Sequence, residues 1–563
     1  MRPKQFFSFA FGALFGGGLW SHSALWATQP GSYKDDFEDL EWVLIQDARA
    51  SRVRLHLERD GQPLANIWPE SIRGQFALMA GAETTIDAPK AERLPSAWAL
   101  MQKTSGIFAN GPGSGPPFKE LDRKGAQKIE SPALLEYYRG AGIGEALIGA
   151  GKAAVEKPLG EALASALDGD GDGKITQSEL AVAEKLLAKL DANGDELITP
   201  GELLSRAAYP GGAGTHWLRA PKAEGTESAW NQGFALLVLP SSRADLGWSQ
   251  ALMARLDRNA DRQLDAQEIV LEPAVFARLD KDQSGKLSAE EISSWRDFDA
   301  DADWRMELGK VAAVASVKRA DPKTASPMSP TRLPIQDRLD ASLPGMQIAL
   351  RVDAGTLPSL WQEFRGRMLS KFRELDSKGS GFVAGAHEKA APMSEWDGVL
   401  YCADANLDGK VSEAELAGWL TANEAYSRSV AMITILDHGT GPFALLDADH
   451  DGALSLRELR LAARRLAQSG AMEKGVLLLD RLPGQLRITV ALGPSQKLLF
   501  PRAQKGPAWF QAMDRNGDGD LSRKECPFPA AWFERHDKDR DGLIDFQEAL
   551  AIPMTEKAGT AAP

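Results

Sequence analysis

Apolar residues along this chain follow three rhythms. Stretches such as 180–190 (LAVAEKLLAKL) place Leu, Ala and Val at helical spacing and predict short amphipathic helices. FALLVLP at 234–240, VAMITILD at 430–437 and LRITVALG at 486–493 are compact apolar runs that predict strands. The third rhythm is a lone Ile, Leu or Val at a fixed place inside a polar, acid-rich dozen: Ile175, Ile198, Leu264, Leu287, Val411, Leu454, Leu521 and Ile544.

The eight dozens recur at set distances. First positions lie 23 residues apart in 168/191, 257/280 and 514/537, which predicts three pairs, each bridged through its apolar residues. The same step from 447 reaches 470–481 (GAMEKGVLLLDR), which keeps Gly475 and Leu477 but no acids at the ligand places. It reads as a partner for 447 that lost its metal. Residues 376–387 (DSKGSGFVAGAH) read as a similar partner for 404. Residues 299–310 (DADADWRMELGK) start with three acids but end in lysine, so no metal is expected there. A second repeat lies outside the dozens. VRLHLERDGQPLANIW, ending at Trp68, matches IALRVDAGTLPSLW, ending at Trp361, with Leu57, Asp60 and Leu64 opposite Leu350, Asp353 and Leu357. The expected fold is therefore α+β and predominantly helical, with compact loop pairs interleaved with short β segments in two related halves. Residues 32–310 would form the first half and 343–554 the second, with a linker at 311–342 and a tail at 555–563.

The dozens have the spacing of a calcium loop. Ca²⁺ takes six to eight hard oxygens, which a loop supplies from side chains at positions 1, 3 and 5, a carbonyl at 7 and a bidentate Glu at 12. In 168–179 these are Asp168, Asp170, Asp172, Lys174 through its carbonyl, and Glu179. In 191–202 they are Asp191, Asn193, Asp195, Leu197 and Glu202; in 257–268, Asp257, Asn259, Asp261, Gln263 and Glu268. Residues 280–291 offer Asp280, Asp282, Ser284, Lys286 and Glu291, and 404–415 offer Asp404, Asn406, Asp408, Lys410 and Glu415. In 447–458 the set is Asp447, Asp449, Asp451, Ala453 and Glu458. The last two are Asp514, Asn516, Asp518, Asp520 and Glu525, then Asp537, Asp539, Asp541, Leu543 and Glu548. Six loops carry Gly at position 6, where a positive φ is needed; Glu196 and Arg262 stand there in the other two and predict strain and weaker binding.

Composition narrows the reading. The net charge of −13 argues against a general nucleic-acid binder. Much of that charge sits in the loops, and six divalent ions would bring it to about −1, eight to about +3. Arg2 and Lys4 precede an apolar run at 6–20 that is short for a membrane span and fits an export signal occupying 1–27, cleaved or kept as an anchor. Cys402 and Cys526 lack a C-x-x-C partner and read as two buried hydrophobes or as one disulfide. GAGIGE at 140–145 lacks the third glycine of a dinucleotide fingerprint, GAGK at 149–152 fails as a phosphate loop, and there is no HExxH, so no catalytic residue is assigned. His387 and His450 read as solvent-facing, and the tryptophans as core.

The loops mark the chain as a member of the EF-hand superfamily, and the alternation of loop pairs with segments such as MELGK and ITVALG resembles large exported bacterial multi-EF-hand proteins. That resemblance implies Ca²⁺ as the ligand and no settled activity. The expectation is a non-enzymatic calcium-binding protein with six to eight sites, periplasmic, cell-surface or secreted. The alternative is a dockerin-like, calcium-dependent interaction module with an unidentified protein partner; a calcium-regulated enzyme comes third.

Overall fold

The computed structural model describes residues 40–104, 106, 113–152, 156–204, 216–218, 236–239, 247–309, 315–319, 338–384, 394–495 and 506–552. The expected signal at 1–27 and tail at 555–563 lie outside them. Among the described residues helix makes up 42% and strand 22%, which corrects the expectation of a predominantly helical chain. The runs read as short spacers instead pair across long distances into two six-stranded sheets.

In chain order the strands of these sheets are β1 (Leu40–Gln46), β2 (Arg49–Arg59), β3 (Gln62–Pro63), β4 (Ala146–Lys152), β5 (His216–Leu218), β6 (Leu236–Val238), β7 (Ala302–Leu308), β8 (Ala315–Arg319), β9 (Arg338–Leu343), β10 (Met346–Asp353), β11 (Ala431–Gly439) and β12 (Gly484–Ala491). The first sheet runs β8-β7-β2-β1-β6, with β3 folded back on β2. β7 lies parallel to β2, with Trp304 opposite Leu55 and Met306 opposite Leu57; the other pairs are antiparallel. The second sheet runs β9-β10-β12-β11-β4-β5. There β10 and β12 are parallel, with Leu350 opposite Ile488, and β11 and β4 are parallel, with Ile433 opposite Ile148.

One core joins the two sheets. Trp42, Val53, Leu55, Trp304 and Met306 of the first pack with Ile348, Leu350, Ile433, Ile488 and Val490 of the second. Burial on both faces explains why sheet content was hard to read: all eight residues of β12 are buried, so no polar alternation marks it. Each half starts alike. A hairpin, β1–β2 or β9–β10, leads into a helix, α1 (Leu64–Ala80) or α2 (Leu357–Leu375), and a later strand returns parallel to the hairpin's second strand. Leu64 and Leu357 open the helices, and Trp68 and Trp361 are fully buried, as the internal repeat predicts. Yet β4, from the first half, lies in the second sheet, so the halves interlock.

One further expectation is corrected. The linker 311–342 contains β8 and nearly all of β9; both are edge strands, whose lysines, arginines and acids gave them a linker-like composition. Residues 299–310 form no loop, because 302–308 is β7. Asp301 Oδ2 accepts from the Arg52 amide at 2.6 Å, and Asp303 contacts His56 and Arg54.

The loops pair through their eighth residues. Leu264 faces Leu287 and Leu521 faces Ile544, as the spacing predicts, and Val383 of the relic 376–387 faces Val411, as expected from its loop pattern. The pair 168/191 does not form. Ile198 of loop 191 faces Leu454 of loop 447. Loop 168 takes instead the segment 470–481, which has no acids at the ligand places: the Leu477 amide donates to the Ile175 carbonyl at 2.8 Å, and the Gln177 amide donates to the Gly475 carbonyl at 3.0 Å. The 23-residue step permits either arrangement, and a shared core decides between them, since Leu163, Leu180 and Leu187 pack with Leu446, Leu459 and Leu466. Directly contacting residues couple by roughly 0.5–3 kcal/mol in a double-mutant cycle. Alanine replacements at Ile198 and Leu454 should therefore be non-additive in denaturant unfolding, and so should those at Ile175 and Leu477. Additivity in both cycles would contradict the exchanged pairing.

Candidate metal centres

Short helices deliver and receive each loop. The first aspartate is often the C-cap of the entering helix, as at Asp280, Asp404, Asp447, Asp514 and Asp537. Position 9 is the N-cap of the leaving helix, and with the Glu at position 12 it makes a capping box at Thr176, Thr199, Ser288, Ser412, Ser455 and Asp545. The glutamate thus has two tasks. In the first loop Glu179 Oε2 accepts from the Thr176 amide at 2.8 Å, while Oε1 reaches across the loop to the Gly169 amide at 2.7 Å. The same reach joins Glu268 to Arg258, Glu291 to Lys281, Glu458 to Ala448, Glu525 to Arg515 and Glu548 to Lys538.

Backbone amides aim the other oxygens. In all eight loops the position-6 amide donates to Oδ2 of the first aspartate at 2.8–3.2 Å. In all eight the position-5 amide donates to Oδ1 at position 3. The position-7 amide donates to the side chain at position 5, as Lys174 does to Asp172, Leu197 to Asp195 and Ala453 to Asp451. The position-7 residues Leu197, Gln263, Lys286, Lys410, Ala453, Asp520 and Leu543 each directly precede their loop's bridging residue. In five loops acidic oxygens gather within 4.8 Å of one another: Asp168, Asp170 and Glu179; Asp257, Asp261 and Glu268; Asp280, Asp282 and Glu291; Asp447, Asp449 and Glu458; Asp537, Asp539 and Glu548.

This shape needs left-handed backbone twice per loop. Position 6 has φ of 65° at Glu196 and at Arg262, beside 80° at Gly173 and 86° at Gly519. Position 4, which the sequence reading missed, is also left-handed, at Ala260, Gln283, Leu407, His450 and Arg540.

Five stretches, residues 165–182, 271–294, 443–461, 508–525 and 530–548, match the protein family described as EF hand. These five stretches are EF hands. No curated protein and no solved structure matches it.

The EF hands differ in depth. Glu179 is only partly buried, and hydrogen bonds from Thr176 hold its carboxyl below the usual range. Asp447 is fully buried, and Glu458 is 6% exposed. Burial, then mutual repulsion with the other loop acids, pushes both carboxyls up. Burial likewise raises Asp404 and Asp514 and pushes Asp518 up to about 8. The second sheet holds loop 447 down: Arg487 of β12 donates to the His450 carbonyl at 2.9 Å, Arg351 of β10 to the Asp449 carbonyl, and Arg465 to that of Leu446. His450 is therefore buried rather than solvent-facing, and it stacks on His438 with ring centroids 5.4 Å apart. His387 lies outside the described residues. Cys402 and Cys526 are both buried, and neither forms a disulfide.

The donor set fits a hard divalent cation. It is all oxygen, with no thiolate or imidazole at a ligand place. Two buried first-position oxygens, Asp404 Oδ1 and Asp537 Oδ1, have no hydrogen-bond partner, which an ion would supply.

Two predictions follow from depth and strain. Left-handed φ costs a non-glycine residue roughly 1–2 kcal/mol. Glu196→Gly and Arg262→Gly should each raise the melting temperature in calcium, and a fall for both would contradict the strain at position 6. The second concerns pH in the metal-free protein. Burial drives His438 down to about 3 and His450 well below its usual value, so above about pH 7 both are neutral folded and unfolded. Raised carboxyls such as Asp518 then still hold protons that the unfolded chain has released. Stability of the chelated protein should fall from about pH 7 to pH 8, by at most about 1.4 kcal/mol per such group per pH unit. Calcium, by keeping these groups ionised, should flatten the slope; chelated protein that gained stability over that range would contradict the assignment.

Proposed function

We propose that the chain is an exported calcium-binding protein whose EF hands hold calcium as a component of the fold. The ligands are the residues at positions 1, 3, 5, 7 and 12 of the eight loops, from Asp168 to Glu548. Six loops bind with glycine at position 6; 191–202 and 257–268 bind more weakly. Loop 447 carries the reading. Asp447, with no solvent exposure, shares its loop with Asp449, Asp451 and Glu458. Uncompensated buried carboxylates are costly, and a bound divalent cation offsets that cost. The loop is also tied to the second sheet by Arg351 and Arg487 and to loop 191 by the Ile198·Leu454 bridge, so filling it stabilises distant parts of the chain at once.

Export rests on Arg2, Lys4 and the apolar run at 6–20. Extracellular calcium modules work at about 10⁻⁴–10⁻³ M, which keeps such sites filled rather than switching. A docking module is the weaker reading, because the helices flanking the loops are already packed on the sheets and on one another.

Calcium should raise the melting temperature strongly, and a chelator should lower it. A site filled at 100 times its dissociation constant contributes about 2.7 kcal/mol. Glu458→Gln should forfeit about that much in calcium, and little in chelator. Identical melting curves in calcium and chelator, with no binding heat in calorimetry, would defeat this function.

A further inference from the structure

The position-5 carboxylate offers two oxygens. Oδ1 is taken by the position-7 amide, at 2.9 Å for both Asp261 and Asp541, which leaves Oδ2 for the ion. In three EF hands Oδ2 accepts from the loop's own asparagine: Asn193 on Asp195 at 2.8 Å, Asn406 on Asp408 at 3.2 Å and Asn516 on Asp518 at 3.3 Å. An asparagine can turn its carbonyl oxygen toward an arriving cation.

Two EF hands differ. Asp541 Oδ2 lies 2.7 Å from Nη1 of Arg457, the eleventh residue of loop 447, which forks onto Asp520 at 2.7 and 2.9 Å. Asp261 Oδ2 lies 2.5 Å from Nζ of Lys286, in the partner loop. Guanidinium and ammonium groups have donors but no acceptor to offer calcium.

We propose that Arg457 and Lys286 are resident cations, each occupying the oxygen that calcium needs, so that loop 537–548 joins the weaker calcium sites in spite of its glycine and loop 257–268 is weakened beyond the effect of Arg262. The inference rests on the calcium-binding function proposed above. Calcium must displace the basic group to complete either site. Displacement leaves the neighbouring contacts standing: Arg457 keeps its fork on Asp520, while Arg460 keeps the Asp541 carbonyl at 2.7 Å and Glu184 at 2.8 and 3.1 Å. Lys286 is more exposed than Arg457, so it competes less.

The test is calcium titration against a chromophoric chelator, on the full chain and on Arg457→Gln, Lys286→Gln and Arg457→Lys. The wild type should show two affinity classes. Arg457→Gln should tighten one weak equivalent roughly three- to tenfold, Lys286→Gln another by roughly two- to threefold, and Arg457→Lys should stay near the wild type. Total stoichiometry should not change. If both glutamine variants bind calcium with unchanged or lower affinity, the basic groups are supports rather than competitors and the inference falls. If Arg457→Gln loses its folded circular dichroism, Lys286→Gln alone decides by the same criterion. A wild type that binds no calcium would instead defeat the proposed function, so the two failures are distinguishable.

Discussion

A loop of this kind cannot stand alone, and that constraint organises the molecule. Its eighth residue presents an amide and a carbonyl on an open strand edge, and both need a partner. Ten loop-shaped segments, eight rich in acids and two without a ligand set, satisfy one another in five bridges. Three bridges join neighbours in sequence. The other two are exchanged, joining loops 168 and 191 to the region around 447–481. This exchange makes 156–203 and 443–482 one packed body and brings the first half of the chain onto the second. β4 repeats the arrangement in the sheets by lying parallel to β11. The retention of 470–481 follows from this. It has no acids at the ligand places, but Ile175 still needs Leu477.

Buried arginines fix the EF hands to the sheets. On the first sheet, Glu41 of β1 takes Arg52 of β2 at 3.0 Å and Arg296, just beyond loop 280, at 2.7 Å. On the second, Arg351 and Arg487 hold backbone carbonyls of loop 447. Desolvating such groups is costly, and breaking one pair in place costs more than the pair contributes, so their effect is on orientation. Arginine suits the task because its fork satisfies several acceptors in fixed geometry. Where a fork reaches a ligand carboxylate instead of a carbonyl, as at Asp541, fixing the fold and binding the ion compete for one oxygen.

What was legible in the sequence was local. A loop's ligands, its glycine and its bridging residue lie within twelve positions, so their spacing alone specifies them, and the structure aims each predicted side-chain oxygen with a backbone amide. Pairs 257/280 and 514/537 were legible because one partner lay at the right distance, and 376/404, 28 residues apart, because 376–387 keeps the glycine and bridging valine of a loop. The exchange was not, because 168+23 and 447+23 each reach an acceptable bridge and only the packing of Leu163, Leu187 and Leu459 separates the alternatives. The sheets were underestimated for a related reason. β11 and β12 are buried on both faces and carry no period-2 signal, while β8 and β9 are edge strands whose charges resemble a linker's. His450 looked exposed because acidic loops usually are; the arginines that cover it come from strands far away in sequence.

Depth separates calcium as a component from calcium as a message. A signalling EF hand must change shape when its ion leaves, so its loop needs freedom to relax. Loop 447 has little: Arg351 and Arg487 hold two of its carbonyls, Arg465 holds that of Leu446 just before it, Glu458 is fixed by the Ala448 and Ser455 amides, and its bridge is locked to loop 191. Removing the ion there would leave buried like charges without an easy rearrangement, and the available response is protonation or loss of the local fold. Loop 168 is the opposite case. Its acids are largely solvated, its glutamate is held by hydrogen bonds alone, and its partner segment lacks acids at the ligand places. The bridge between Ile175 and Leu477 still joins that loop to the same core, so even the most exposed EF hand reports to a body that the buried one holds together.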